Sequence, residues 1–119
     1  MKNPHLYQYN AHVVSVYDGD TCTVDIDLGL NIWTRGEKIR LNRINAPELR
    51  KKERPMGLIS RDYLRKRILD QSIILETIKD KKGKYGRYIG EIWVQDKKGK
   101  YININDDLVK AGMAEYKSY

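Results

Sequence analysis

Hydrophobic and polar positions alternate most cleanly near the start of the chain. Ala11 to Tyr17 reads Ala-His-Val-Val-Ser-Val-Tyr, Asp18-Gly19-Asp20 follows, and Thr21 to Leu28 resumes the β-rich pattern. Two such runs around an Asp-Gly turn predict a hairpin. In its second strand Cys22, Val24, Ile26 and Leu28 share one face, and Thr21, Thr23, Asp25 and Asp27 share the other. The apolar set faces the core. Asp20 is in phase with it, and a carboxylate in that position is costly unless it is solvated, paired or bound to a metal. That places Asp20 at the mouth of the core.

After Gly29-Leu30-Asn31, the segment Ile32-Trp33-Thr34 and a second turn near Arg35-Gly36-Glu37 lead into a third strand from Lys38 to Ile44. Asn45-Ala46-Pro47-Glu48 ends it, because proline cannot donate to a sheet ladder, and Glu48 projects from the resulting loop. From Met56 to Leu69 the period changes: Ser60, Tyr63, Leu64, Arg67 and Ile68 form one stripe, as a helix requires. Ser72 to Ile78 reads as a strand, Asp80 to Arg87 as a Lys/Gly-rich loop, and Tyr88 to Gln95 as another strand. Asp96-Lys97-Lys98-Gly99 turns the chain into Lys100 to Ile104. Asn105 then caps a short acidic-fronted helix that closes at Gly112. Five main strands, one helix between the third and fourth and one after the last, predict a mainly β fold: a small closed barrel with flanking helices.

A length of 119 residues fits one domain spanning 1–119. No segment approaches the roughly 20 apolar residues of a membrane span, and the opening Met1-Lys2-Asn3-Pro4-His5 lacks a secretion signal, so a cytoplasmic location is expected. The single Cys22 excludes an internal disulfide and a multi-cysteine zinc site. With 23 Lys plus Arg against 16 Asp plus Glu, the net charge of +7 favours a polyanionic partner. Charge alone does not identify one.

There is no Walker A loop, no His-Glu-x-x-His, no glycine-rich nucleotide fingerprint and no complete EF-hand, since Cys22 and Thr23 stand where that loop needs an oxygen ligand and glycine. His5 and His12 are given no role. What remains at the strand ends is Asp20, Arg40, Asn45, Glu48 and Arg87. Phosphodiester hydrolysis needs a base for water and cations for the charge developing on phosphorus. Glu48 can supply the first and Arg40 and Arg87 the second, while Asp20 and Asn45 offer oxygens to a hard cation. Singly, each is as easily a surface or turn residue. It is the joint set that points to chemistry.

In order, Asp18-Gly19-Asp20-Thr21, Ile39-Arg40-Leu41, Pro47-Glu48 and Lys84-Tyr85-Gly86-Arg87 resemble the staphylococcal nuclease, or thermonuclease-like, family. The late helix Asn105-x-x-Leu108-Val109-x-x-Gly112-x-Ala114 extends the likeness to most of the chain. The resemblance implies a five-stranded OB-type barrel and calcium-dependent, sugar-nonspecific hydrolysis of DNA and RNA at the 5′ P–O bond. It gives Asp20, Asn45 and the Ala46 carbonyl to the metal, Glu48 to the general base, and Arg40 and Arg87 to the phosphate. Tyr85, with Lys84 beside it, goes to the nucleotide. Asn45 departs from the family's usual aspartate, which removes a negative charge from the calcium shell. The Gly29 to Glu37 connection is longer than in the staphylococcal enzyme and carries Trp33.

The residues leave three classes: a monomeric metal-dependent endonuclease with no obligate protein partner, a catalytically weak or inactive nucleic-acid-binding OB module, and a protein-binding module. Retention of Arg40, Glu48 and Arg87 favours the first, because backbone binding alone is met by lysine.

Overall fold

The computed structural model describes residues 6–118. Met1–His5, including the N-terminal segment read above and His5, lies outside the described residues, as does Tyr119. In chain order the elements are β1 (Gln8–Asp18), β2 (Thr21–Asp27), β3 (Trp33–Leu41), β4 (Ile44–Asn45), a 3-10 turn at Lys51–Glu53, and α1 (Arg54–Ile68). Then come β5 (Ser72–Lys82), β6 (Tyr88–Gln95), β7 (Tyr101–Asn103), α2 (Ile104–Lys110) and β8 (Glu115–Tyr116).

The main sheet runs β3-β2-β1-β5-β6-β7, and a parallel pairing of β3 with β6 closes its five principal strands into a barrel of the OB type. That closing seam sets Ile39 beside Tyr88, Arg40 beside Ile89 and Leu41 beside Gly90. Register shifts after Val13 and after Val16 bend β1 so that it pairs with both β2 and β5. The β2 alternation reads through to the core at Cys22, Val24 and Ile26, which are buried with Val13, Val16, Ile39, Leu41, Leu75 and Ile92, whereas Leu28, expected on the same face, lies past the end of β2 and is exposed. Helix α1 closes one end with Gly57, Ser60, Leu64 and Ile68, and α2 contributes Ile104 and Leu108. Tyr63, beside that stripe, is half-buried and donates its hydroxyl to Asp107 (2.7 Å). No helix among the described residues is long and apolar enough to cross a membrane.

Beyond shifts of one to three residues at the ends of β1, β2 and α1, several features differ from the sequence reading. The expected turn near Arg35-Gly36-Glu37 is a bulge inside β3: Val24 opposes Glu37, Ile26 opposes Thr34, and Gly36 takes φ +71°. Asp25 holds the bulge by accepting from the Gly36 N–H and from Arg35 (both 2.9 Å). β3 also stops at Leu41, and Ile44–Asn45 pairs separately with Glu115–Tyr116. β5 continues through Asp80–Lys82, the start of the expected loop. Finally, Asn103 caps α2, accepting from the Asp106 N–H at 2.9 Å. Asn105 lies two residues further on, in the first turn of α2, fully buried, bridging the Ile92 N–H to the Asn42 and Gly90 carbonyls.

Candidate active site

Two glycines let three segments meet. A Cβ on Gly19 would stand 2.7 Å from the Ala46 Cβ and 2.8 Å from the Ser60 Cβ, so the 18–20 turn, the 45–48 loop and α1 converge there. A Cβ on Gly57 would stand 2.2 Å from the Glu48 carbonyl oxygen. Only glycine allows the first turn of α1 to pack directly on the Pro47–Glu48 backbone. Ser60 fastens the same helix by donating to the Met113 carbonyl (2.7 Å).

Asp20 is buried at the mouth of the barrel, as its phase in β2 requires. Its Oδ2 accepts from the Ala46 N–H (2.8 Å) and pairs with Arg40 Nη2 (3.3 Å), and its Oδ1 accepts from the Thr21 hydroxyl (3.2 Å). Arg40 spreads its guanidinium across the loop. Nη1 donates to the Leu41 and Ile44 carbonyls (2.8 and 3.0 Å), and Nη2 reaches Asn45 Oδ1 (3.3 Å). Arg87, from the loop before β6, donates to Thr21 Oγ1 (3.4 Å), with its guanidinium 5.1 Å from the Tyr85 ring centre. Asp20, Arg40, Asn45 and Ala46 therefore form one contiguous cluster, and Arg87 joins it through Thr21.

Glu48 stands apart. Its Oε2 pairs with Arg50 Nε at 2.8 Å, with side chains 56% and 74% exposed, so the carboxylate points along its own loop and away from the arginines of the cluster. Lys84 and Tyr85 lie exposed on the loop that carries Arg87.

The sequence reading passed over Asp18 and Thr21. Asp18 Oδ1 accepts from the Asp20 N–H (3.1 Å), and burial together with the Asp20 carboxylate pushes the Asp18 carboxyl up to about 6. The Asp-Gly-Asp spelling was the available signal, since a tight turn keeps carboxylates at its two ends close. Among the described residues no three His, Cys, Asp or Glu side chains gather to hold a metal ion. The oxygen donors at the mouth are a buried carboxylate crowded by a second one and an amide oxygen. That set suits a hard, oxygen-seeking cation that keeps part of its water shell, and is unsuited to a soft one.

The chain matches the staphylococcal nuclease homologue model over residues 38–119. It is 31% identical over 110 residues to the thermonuclease of Staphylococcus hyicus and 31% identical over 110 residues to that of Staphylococcus intermedius. Both matches cover 90% of this chain and 59% of the relative. It is also 29% identical over 127 residues to an uncharacterised protein of Methanocaldococcus jannaschii, covering 89% of this chain and 58% of the relative. The chain thus spans about three fifths of the length of these relatives. A family model covering more than half of the sequence, on a closed barrel of the expected topology, establishes that the chain belongs to the staphylococcal nuclease family.

Proposed function

We propose that the chain is a calcium-dependent, sugar-nonspecific endonuclease that hydrolyses phosphodiester bonds of DNA and RNA, with its site at the Asp20–Arg40 mouth. The observation that carries this reading is the placement of one buried carboxylate, one amide oxygen and two guanidinium groups around the same opening. A protein that only tracks a phosphate backbone has no need of a buried carboxylate beside its arginines.

Asp20, Asn45 Oδ1 and the Ala46 carbonyl would hold the calcium ion. When bound, the ion supplies positive charge to the phosphate oxygens and makes a coordinated water easier to deprotonate. Arg87 is anchored through one nitrogen at Thr21 and has donors left to grip two phosphate oxygens as charge builds on them. Arg40 adds its charge from the other side, its Nη1 fixed on two carbonyls so that the guanidinium needs little reorganisation. Glu48 takes the proton from the attacking water as the new O–P bond forms and the bond to the 5′ oxygen breaks. Its pairing with Arg50 is an exposed, solvent-screened one, so turning toward the substrate is cheap.

That same pairing, together with Asn45 in place of an aspartate, favours the second reading, a weak or inactive OB module that binds nucleic acid. Incubating the purified chain with single-stranded DNA and RNA, with added calcium or a chelator, separates the two. The endonuclease reading expects calcium-dependent cutting of both substrates, and binding without cutting at any calcium concentration replaces it with the second.

A further inference from the structure

The connection from β2 to β3 reads Leu28-Gly29-Leu30-Asn31-Ile32-Trp33. Thr21 pairs with Arg40 at the mouth end of this hairpin and Asp27 pairs with Trp33 at the other, about 20 Å further along β2. Leu30 is 92% exposed, and Leu28, Ile32 and Trp33 are each about half exposed. No other stretch of the described residues exposes four large apolar side chains within six positions; elsewhere they are scattered, as is ordinary on a protein surface. The backbone fixes this display. Gly29, Leu30 and Asn31 take left-handed φ values of +81°, +54° and +62°, a region that glycine and asparagine tolerate and leucine enters at a cost. The turn also pairs its own polar groups: the Leu28 N–H donates to the Ile32 carbonyl (2.8 Å), the Ile32 N–H to the Gly29 carbonyl (2.9 Å), and the Gly29 N–H to Asp27 Oδ1 (2.8 Å).

We infer that this hairpin tip is a shallow docking finger for an anionic lipid bilayer, with Leu28, Leu30 and Ile32 entering the boundary between headgroups and acyl chains and Trp33 lying at its edge. Apolar side chains gain by leaving water there, whereas backbone polar groups lose unless they are already paired, as three N–H groups of this turn are. Tryptophan concentrates at membrane interfaces because its ring is apolar and its N–H still reaches a polar partner. Cations stand where headgroups would meet them. The Arg35 guanidinium lies 5.1 Å from the Trp33 ring centre, Lys82 reaches the same strand at Glu37 (4.0 Å), and the chain's net charge of +7 draws it to an anionic surface. The acids beside the tip are engaged within the fold: Asp25 with Arg35 and the Gly36 N–H, Asp27 with the Gly29 N–H, and Glu37 with the Thr34 hydroxyl and Lys82. A second protein fits less well, since four partly exposed side chains fall short of the about 800 Å² per partner that a stable interface buries. The finger is separate from the Asp20–Arg40 mouth, so the inference stands whether or not the chain cuts nucleic acid.

The test is flotation of the purified chain with vesicles of phosphatidylcholine alone or with about 30% phosphatidylglycerol added. It is joined to the fluorescence of Trp33, read in a Trp93→Phe background because Trp93 is the chain's other tryptophan. The chain should bind the anionic vesicles about tenfold or more tightly than the neutral ones, and Trp33 emission should shift to the blue and be quenched by lipids brominated on their acyl chains. Leu30→Asn suits the left-handed backbone, so it should fold as the wild type does while binding the anionic vesicles about tenfold more weakly. Arg35→Gln should weaken binding at low salt more than at high salt, since headgroup attraction is screened. Should Trp93→Phe not fold, flotation of Leu30→Asn against the wild type decides alone. Absence of binding to the anionic vesicles would overturn the inference. So would binding that leaves Trp33 emission unmoved and ignores Leu30→Asn, which is adsorption by charge. Self-association in sedimentation that Leu30→Asn abolishes, without vesicle binding, would overturn it in favour of a second copy at the tip.

Discussion

Asp20 Oδ2 lies 3.3 Å from Arg40 Nη2, with the two side chains only 9% and 11% exposed. A pair this buried holds the mouth together and is costly to break from one side, because the survivor is left charged in a poorly solvated place. Arg40→Ala should therefore lower the unfolding free energy by about 3 kcal/mol in urea melts. Arg40→Lys should recover less than half of that loss, since one ammonium cannot reproduce the fork that serves Asp20, Asn45 and two carbonyls. Full recovery with lysine would mean that charge alone matters there.

Asn45 is the position at which this chain gives up a negative charge near the proposed calcium. Asn45→Asp should tighten calcium binding several-fold in isothermal titration calorimetry, because affinity in oxygen sites rises with ligand charge. It should also lower the calcium concentration at which cutting is half-maximal. Unchanged affinity would remove Asn45 from the shell.

Gly57 places the Pro47–Glu48 loop through its missing side chain. With the Glu48 carbonyl 2.2 Å from where a Cβ would sit, Gly57→Ala must push the loop away from α1. The expected loss is about 1–3 kcal/mol in thermal or urea melts, together with lower nuclease activity at temperatures where the fold persists. Gly86→Ala is the contrasting case, since its site has open space but a left-handed φ of +71°, and its cost should be backbone strain alone.

Cys22 is fully buried in β2, and burial, with a smaller push from Asp18, raises its thiol to about 12. Because the native pKa lies above the unfolded one, this group's contribution to stability is complete below about pH 9 and is lost as the pH climbs from there toward about 12. The native chain at pH 8 should resist a thiol-reactive dye until denaturant is added. Rapid labelling of the native protein would show that the barrel opens at β2.

The parts of this fold that were legible in sequence are those written in local period. The alternation of Cys22, Val24 and Ile26 and the Ser60–Leu64–Ile68 stripe led to a barrel with flanking helices, and these elements stand where expected. Features that depend on distant partners were not legible. Gly36 reads as a turn until Asp25 is seen accepting its N–H, and Lys79 to Lys82 reads as a loop because a charged strand has no apolar face to announce it. The parallel β3–β6 seam leaves no local trace at all. Asn105 looked like a cap because Asn and Asp cluster there, whereas its amide works inside the core. For the candidate site, the sequence offers polar and charged residues at strand ends, but the crowding of Asp18 against Asp20 and the turn of Glu48 toward Arg50 are matters of side-chain geometry.

Whether the arginines and Glu48 act together at one opening is read from cleavage of a fluorescence-quenched single-stranded oligonucleotide at saturating calcium. Glu48→Gln and Arg87→Ala are compared with the wild-type chain, and circular dichroism checks that each variant is folded. Each variant should lose at least a hundredfold in kcat/KM with its melting curve little changed, since one removes the proposed base and the other a proposed donor to the developing charge. Turnover near the wild-type rate in both variants would contradict the account.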